Sequence, residues 1–155
     1  MFPVNPRPRP LFWVVACAGL ILDQATKWWA ETALLPVGRM EIIPGFFNLT
    51  YVENTGMAFG LGSGHNWLLF GVVILLLVFA LVLSSKLDWK QQSNNIAAAA
   101  VVCGAAGNLI DRIRHGYVID FLDFYVKNWH WPAFNIADSC ICLSLVWIAL
   151  RQIKQ

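Results

Sequence analysis

The longest uncharged apolar run of the chain is long enough to cross a lipid bilayer. It reads WLLFGVVILLLVFALVL, from Trp67 to Leu83. A helix of about 20 apolar residues spans the roughly 30 Å of hydrocarbon in a membrane. A helix also satisfies its own backbone polar groups where no water is available. This run therefore predicts a transmembrane helix, which we place at residues 67–84.

Three further segments combine high apolar content with a helix-forming length. They lie at residues 11–30, 96–113 and 135–151. In the whole chain 13% of the residues are charged and 58% are hydrophobic, whereas about 25% charged residues are typical of soluble domains. The sequence therefore predicts an all-α membrane protein with four transmembrane helices, in one domain that spans residues 1–155.

The distribution of lysine and arginine predicts how these helices are oriented. Six of the eleven cations fall on one side of the predicted helices: Arg7, Arg9, Lys86, Lys90, Arg151 and Lys154. Cytoplasmic loops of membrane proteins are enriched in such residues. Both termini of this multi-pass chain are therefore predicted to be cytoplasmic. The connections at roughly 35–66 and 112–132 are predicted to face the opposite, outer side.

Charge and cysteine positions exclude several other classes of protein. The formal net charge of +2 and the absence of a basic run with interleaved aromatics argue against a nucleic-acid partner. The four cysteines fall inside predicted helices, where a thiol is usually a small packing residue. They are Cys17, Cys103, Cys140 and Cys142. We therefore predict no disulfide, no metal site and no cofactor.

The first outer connection contains a strand-like segment. Phe47, Leu49 and Tyr51 alternate there with more polar neighbours. Turn sequences, Pro44-Gly45 and Asn54-Thr55-Gly56, bracket the segment. A small extracytoplasmic β-sheet on this loop, resting on the membrane surface, is therefore predicted.

Ionisable residues inside predicted helices indicate pairing or function, because a charge at membrane depth costs a few kcal/mol or more. Asp23 and Lys27 are one helical turn apart, so they could be a neutralising pair with Lys27 extended toward the interface. Asn108, Asp111 and Arg112 share one face of the third predicted helix. Asp111 and Arg112 could form a helix-end ion pair. The alternatives are a direct chemical role for Asp23 and Lys27 and a functional support role for Arg112.

Two aspartates at the outer ends of the third and fourth predicted helices form a candidate catalytic pair. Asp120 follows Gly116, which permits a sharp exit from the third helix, and Asp138 lies at the head of the fourth. Neighbouring antiparallel helices would bring both carboxyl groups to one level, where they would share a proton. The ionised member can activate water while the protonated member hydrogen-bonds a carbonyl. Asp123 is predicted to lie on a solvated loop face.

A proton-coupled transporter is the main alternative use of the same acids. It predicts carboxylates near the middle of the helices and a repeat between the two halves of the chain. Neither feature is evident in the sequence. A structural assembly subunit would leave the polar cluster unexplained. The favoured interpretation is therefore that the aspartate pair hydrolyses peptide bonds.

At this point the sequence resembles a known family, the bacterial lipoprotein signal peptidases, or signal peptidase II. The resemblance covers nearly the whole chain and rests on DQATK (23–27), ENTGMAFG (53–60), GAAGNLIDRIRHGYVIDF (104–121) and FNIADS (134–139). In that family the catalytic aspartates stand in V-x-D-F and F-N-x-A-D motifs, which implies Asp120 and Asp138. The supporting or substrate-binding positions carry over onto Asp23, Lys27, Asn54, Gly56, Asn108, Asp111, Arg112 and Asn135. Met57 departs from the pattern, since small residues are common there.

The resemblance implies an aspartic endopeptidase of the bacterial inner membrane, with its active site facing the periplasm. Such an enzyme removes the signal peptide of a prolipoprotein by cutting before a diacylglyceryl-modified cysteine. The implied partners are those prolipoproteins and membrane phospholipids, and a monomer is expected. Aromatic outer loops would clamp the lipid. Arg112 and Asn108 would orient Asp120 or hold a substrate carbonyl, and Asn54 would bond the substrate backbone.

Overall fold

The computed structural model describes residues 8–55 and 90–153 as three helices and four strands. In chain order these are α1 (Pro10–Ala33), β1 (Arg39–Ile43), β2 (Phe47–Asn54), α2 (Gln92–His115), β3 (Val118–Val126), β4 (Trp129–His130) and α3 (Ile136–Ile153). The predicted helix at 67–84 and the predicted support residue Gly56 lie outside the described residues.

The three helices occur where three of the four membrane-spanning segments are predicted. Helix α2 packs against both α1 and α3. By length and composition, one helix of the described part of the chain, Gln92–His115, is able to cross a membrane. The prediction of four transmembrane helices is therefore not confirmed, although α1 and α3 coincide with two of the predicted segments.

Glycines allow α2 to approach its neighbours closely. A Cβ atom on Gly104 would overlap the carbonyl oxygen of Ala137 in α3, and a Cβ atom on Gly107 would overlap the carboxylate of Asp23 in α1. Small residues at helix contacts permit this kind of backbone approach in membrane proteins. These close contacts therefore fix the positions of α1 and α3 along α2.

The sheet is larger than the sequence predicts: β1 and β2 come from the segment after α1, and β3 and β4 from the segment between α2 and α3. Its strands run antiparallel in the order β1-β2-β3-β4, and β2 pairs with β3 from Phe47↔Phe124 to Asn54↔Val118. The prediction of a strand after the first turn is correct, but the all-α class is wrong: the fold is mixed, with helices and an antiparallel sheet. Asp120 lies on a strand and not in a loop.

A glycine turn connects α2 directly to β3. Gly116 has a φ of 82° and its N–H donates to the carbonyl of Arg112 at 3.0 Å, a left-handed cap that glycine adopts without strain. Ala30 and Leu34, at the end of α1, then pack against Ile119 and Phe121 of β3. These contacts hold the start of β3 against the ends of the helices.

Candidate active site

The structure brings Asp120 and Asp138 together around one asparagine. Asn135 Nδ2 donates to Asp120 Oδ1 at 2.7 Å, and the backbone N–H of Asn135 donates to Asp138 Oδ2 at 3.3 Å. Asp120 is 1% exposed, while Asp138 is partly buried in the first turn of α3. The two predicted catalytic residues therefore share one site.

Asn135 and Asp138 also form a reciprocal cap at the start of α3. Asn135 Oδ1 accepts the backbone N–H of Asp138 at 3.0 Å, while Asp138 Oδ2 accepts the backbone N–H of Asn135. This is the capping-box arrangement, which satisfies N–H groups that a helix leaves open at its beginning. The partial positive charge of the helix N-terminus favours a carboxylate in this position.

The same cap fixes which way the Asn135 amide points. A backbone N–H can only donate, so the atom that faces the N–H of Asp138 is Oδ1, and Nδ2 faces Asp120. The other oxygen of this aspartate, Asp120 Oδ2, accepts from Asn54 Nδ2 at 2.8 Å. Both oxygens of Asp120 therefore accept an amide N–H.

A buried lysine orients a second amide toward Asp138. Lys27 Nζ donates to Asn108 Oδ1 at 2.9 Å. An ammonium group has no acceptor, so the oxygen of the Asn108 amide has to face it. Asn108 Nδ2 is thereby turned to Asp138 Oδ1, at 2.7 Å. Together with the capping N–H of Asn135, this gives each oxygen of Asp138 an N–H donor.

The pKa of Asp120 is raised to about 7, first by burial and second by the neighbouring charge of Asp138. The amide donors of Asn54 and Asn135 act in the opposite direction. Two carboxyl groups in one buried site do not both ionise readily. The site can therefore hold one proton near neutral pH, which is what acid–base attack on a carbonyl by water requires.

Lys27 pairs with two carboxylates below this site. Its Nζ lies 3.0 Å from Asp23 Oδ2 and 2.9 Å from Asp111 Oδ2, and the side chain is 2% exposed. The predicted pair of Asp23 and Lys27 is therefore present. The expected extension of Lys27 toward the interface is wrong, because the packing of α1 against α2 encloses it between two anions.

Asp111 takes Lys27 as its ion-pair partner, so the helix-end pair with Arg112 that the sequence left open is not formed. Arg112 Nη1 instead donates to the carbonyl of Asn108 at 3.2 Å. The buried Arg112 Nε has no hydrogen-bond partner among the described residues. Neighbouring residues on a helix do not face each other, and the lysine on the adjacent helix is better placed for Asp111.

The two buried anions also hold the segments that carry the catalytic candidates. Asp23 Oδ1 accepts the backbone N–H of Ala137 at 3.0 Å, and Asp111 Oδ2 accepts that of Ile119 at 3.2 Å. Ala137 precedes Asp138 and Ile119 precedes Asp120. Asp23 therefore fixes the backbone beside Asp138, and Asp111 fixes the backbone beside Asp120.

Gln24 is a member of this cluster that the sequence analysis missed. Its Nε2 donates to Asp111 Oδ1 at 3.0 Å and lies 3.2 Å from Asp23 Oδ2. It therefore bridges two carboxylates that approach the same lysine. The signal was its helical spacing: Gln24 and Lys27 are three residues apart, so they lie on one face of α1.

Asp123 is buried, so its predicted position on a solvated face is wrong. The residue is 6% exposed. It accepts a hydrogen bond from Asn48 Nδ2 at 2.9 Å and lies 2.8 Å from His130 Nδ1. The sheet pairs Asn48 with Asp123 and brings β4 beside β3, which covers the side chain.

Within residues 8–55 and 90–153, no group of three or more His, Cys, Asp or Glu side chains is arranged to hold a metal ion. The described site thus consists of two carboxyl groups with asparagine donors, above a lysine and two further carboxylates. One carboxylate can accept a proton from water and a protonated carboxyl can donate one to a carbonyl oxygen.

Comparison with known proteins places the whole chain in one family. Residues 15–154 match the family described as signal peptidase (SPase) II. A lipoprotein signal peptidase of Serratia proteamaculans is 41% identical over 143 residues, which cover 90% of this chain and 83% of that protein. One of Thermodesulfovibrio yellowstonii is 43% identical over 140 residues, covering 88% and 90%.

Solved structures agree with these relatives. A bacterial membrane enzyme superposes with a TM-score of 0.80 at 31% identity, over 93% of this chain and 93% of that one. Another gives 0.81 at 32% identity, over 92% and 87%. The family match, residues 15–154, includes every residue of the site described above. The chain belongs to the signal peptidase II family of aspartic peptidases.

Proposed function

We propose that Asp120 and Asp138 are the catalytic residues with which this signal peptidase II cleaves prolipoproteins. The reaction is the removal of the signal peptide, by a cut just before the diacylglyceryl-modified cysteine. The observation that carries the proposal is the convergence of both carboxyl groups on Asn135. The raised pKa of Asp120, about 7, supplies a proton donor at neutral pH.

The two aspartates divide the acid–base work. Asp138 is the base, because the N-terminus of α3 and the amide of Asn108, polarised by Lys27, both favour its ionised form. It takes a proton from the attacking water. Protonated Asp120 donates its hydrogen to the oxygen of the scissile carbonyl. The proton on Asp138 then passes to the leaving amine, and Asp120 recovers its own proton as the carbonyl re-forms.

The remaining predicted residues support this pair. Asp23, Lys27, Asn108, Asp111 and Asn135 position the two carboxyl groups through the contacts described above, and Asn54 holds Asp120. Arg112, with a buried Nε free of partners among the described residues, binds a substrate carbonyl. Gly56, which lies outside the described residues, is also assigned to substrate binding.

The transporter alternative receives no support. The relatives named above are called lipoprotein signal peptidases, and the carboxyl pair sits at the start of α3 and on a strand, away from the middle of a helix.

We further propose four transmembrane helices at 11–30, 67–84, 96–113 and 135–151 in the bacterial inner membrane. Both termini would be cytoplasmic, with the site toward the periplasm and the enzyme acting as a monomer among phospholipids. Exposed apolar side chains along α1 and α3 support lipid contact; they include Trp13, Ile21, Trp28, Leu143 and Leu150. Fusion of reporters to each terminus tests the orientation. Activity of a reporter that works only outside the cytoplasm, at either terminus, would contradict it.

The decisive experiment compares lipidated and unlipidated prolipoprotein as substrates of the purified enzyme, with products identified by mass. The lipidated form should be cut before its cysteine. Asp120→Asn and Asp138→Asn should each lower turnover by about 10²-fold or more. The double variant should be hardly worse than either, because groups that act as a unit are non-additive.

Glu53→Gln is the matched control, since it neutralises an exposed carboxylate on β2 and should leave turnover unchanged. Equal cutting of the unlipidated precursor would refute the substrate assignment. If the turnover losses of the two single variants multiplied in the double variant, the assignment of Asp120 and Asp138 as one catalytic unit would be refuted.

A further inference from the structure

Cys103 of α2 and Cys140 of α3 lie where the two helices cross. Cys140 follows Asp138 by two residues in α3. The crossing is tight: a Cβ atom on Gly104 would lie 2.8 Å from Ile141 Cγ1 and would overlap the carbonyl oxygen of Ala137. Cys103 adjoins Gly104 and Cys140 adjoins Ile141. The contact of Gly104 with Ile141 makes the two cysteine side chains neighbours across the crossing, and both are free thiols.

The two thiols differ in how they can be reached. Cys103 is 3% exposed, and its Sγ donates to the carbonyl of Ala100 at 3.3 Å. Gly19 of α1 closes over it, because a Cβ atom on Gly19 would lie 2.7 Å from this sulfur. Cys140 is only partly buried. A reagent can therefore react with Cys140 first, because Cys103 is enclosed.

We propose that Cys103 and Cys140 form a modification site. A small disulfide compound oxidises these two thiols to an intramolecular disulfide, and this disulfide lowers turnover. The thiolate of Cys140 attacks the reagent, forms a mixed disulfide and releases one thiol. Cys103 then attacks the Cys140 sulfur, forms the internal S–S bond and releases the second thiol. The protein loses two electrons and two protons, and the reagent gains both.

The bond would act on the catalytic residues through the helices. Asn108 lies just over one turn after Cys103 on α2, and Asp138 lies half a turn before Cys140 on α3. A disulfide imposes its own separation and dihedral angles on the backbones that it joins. The crossing has no room to absorb a shift elsewhere, so α3 should move relative to α2 and change the contact between Asn108 and Asp138.

The test uses Cys17→Ser/Cys142→Ser, which leaves Cys103 and Cys140 as the only two of the four cysteines. Folded protein in detergent is treated with bis(2-hydroxyethyl) disulfide, and the intact mass is measured. The monomer should lose the mass of two hydrogen atoms. Adding Cys103→Ser should trap a stable reagent adduct on Cys140, whereas adding Cys140→Ser should leave the enclosed Cys103 unmodified.

Turnover is measured on the same samples. The oxidised double variant should be slower by on the order of tenfold to a hundredfold, as expected for a small misplacement in an active site, and a phosphine reductant should restore it. The variant with Cys140→Ser should be insensitive to the reagent. The proposal is overturned if the dithiol reacts only after unfolding, or if the fully oxidised monomer turns over at the unmodified rate.

Discussion

At the scale of single residues, the orientation of two amides decides what the carboxyl groups meet. Asn108 has its oxygen on Lys27, and Asn135 has its oxygen on a backbone N–H. Both amides therefore present N–H to the catalytic candidates. Reversing either amide would bring two oxygens together beside a carboxylate, so donors that cannot accept set the polarity of the site.

The raised pKa of Asp120 predicts the alkaline limb of the pH profile. Its carboxyl titrates at about 7 in the folded protein, above the ordinary 3.8. The acid form is therefore present below about pH 7 and is lost as the pH rises through that value. We expect kcat/KM to fall over the same interval, because Asp120 can no longer donate a proton. The measurement is a pH–rate profile, and a kcat/KM that rises through pH 7 would contradict the assignment.

The same shift has a consequence for stability. Between about 3.8 and 7 the folded state holds a proton that the unfolded chain releases, so this carboxyl group makes unfolding easier as the pH rises through that window. Asp120→Asn should remove that part of the pH dependence of the unfolding midpoint.

Lys27 is predicted to be essential for folding stability. Replacing it in Lys27→Met leaves Asp23 and Asp111 buried without their cation. Removing one partner of a buried ion pair costs about 3–5 kcal/mol, so a large drop in thermal midpoint is expected. A variant that also carries Asp23→Asn should regain part of it, and no loss in the single variant would show that the cluster is not charged as described.

At the scale of elements, close helix contacts set the positions of the two candidate catalytic residues, Asp120 and Asp138. Asp23 bonds the start of α3 and Asp111 bonds the start of β3. The bond from Asp23 reaches α3 because Gly104 and Gly107 on α2 let the helices approach closely. Packing and polar contacts are therefore one arrangement.

Gly104→Ala tests this arrangement. The added Cβ meets a backbone carbonyl of α3, which cannot rotate away, so α3 has to shift. Overpacking of this kind costs about 1–3 kcal/mol, and turnover should fall with it because Asp138 moves with α3. The readouts are thermal midpoint and kcat. Ile113→Ala, at an exposed position of the same helix, is the control and should change neither; equal effects at both positions would argue against the close crossing.

At the scale of the whole molecule, the sheet joins the segment that follows α1 to the segment between α2 and α3. Strand β3 carries Asp120 and also Asp123, whose partners Asn48 and His130 come from β2 and β4. The strand that carries Asp120 is thereby held from both sides.

Asp123 is predicted to serve this assembly and not the chemistry. Asp123→Ala removes the acceptor of Asn48 and His130, and an unsatisfied buried donor costs about 1–3 kcal/mol. The thermal midpoint should drop while the folded enzyme, assayed well below it, keeps most of its turnover. A loss of kcat as large as that of Asp120→Asn would mean that Asp123 takes part in catalysis.

The sequence by itself determined the family, the catalytic candidates and the position of each described helix. Those features depend on local patterns: apolar runs of helical length, and short motifs such as VIDF and FNIADS. The turn at Gly116 was also predictable, because a single residue's conformational freedom decides it.

The tertiary structure alone decided the partner of Lys27, the strand that carries Asp120, the burial of Asp123 and the meeting of Cys103 with Cys140. Each depends on residues far apart in the chain. A local pattern shows that Lys27 needs an anion and that VIDFLDFYV suits a strand, but several partners satisfy those needs equally well. The choice is made when α2 packs between α1 and α3 and β2 pairs with β3, because burial leaves each polar group only the partners within its reach.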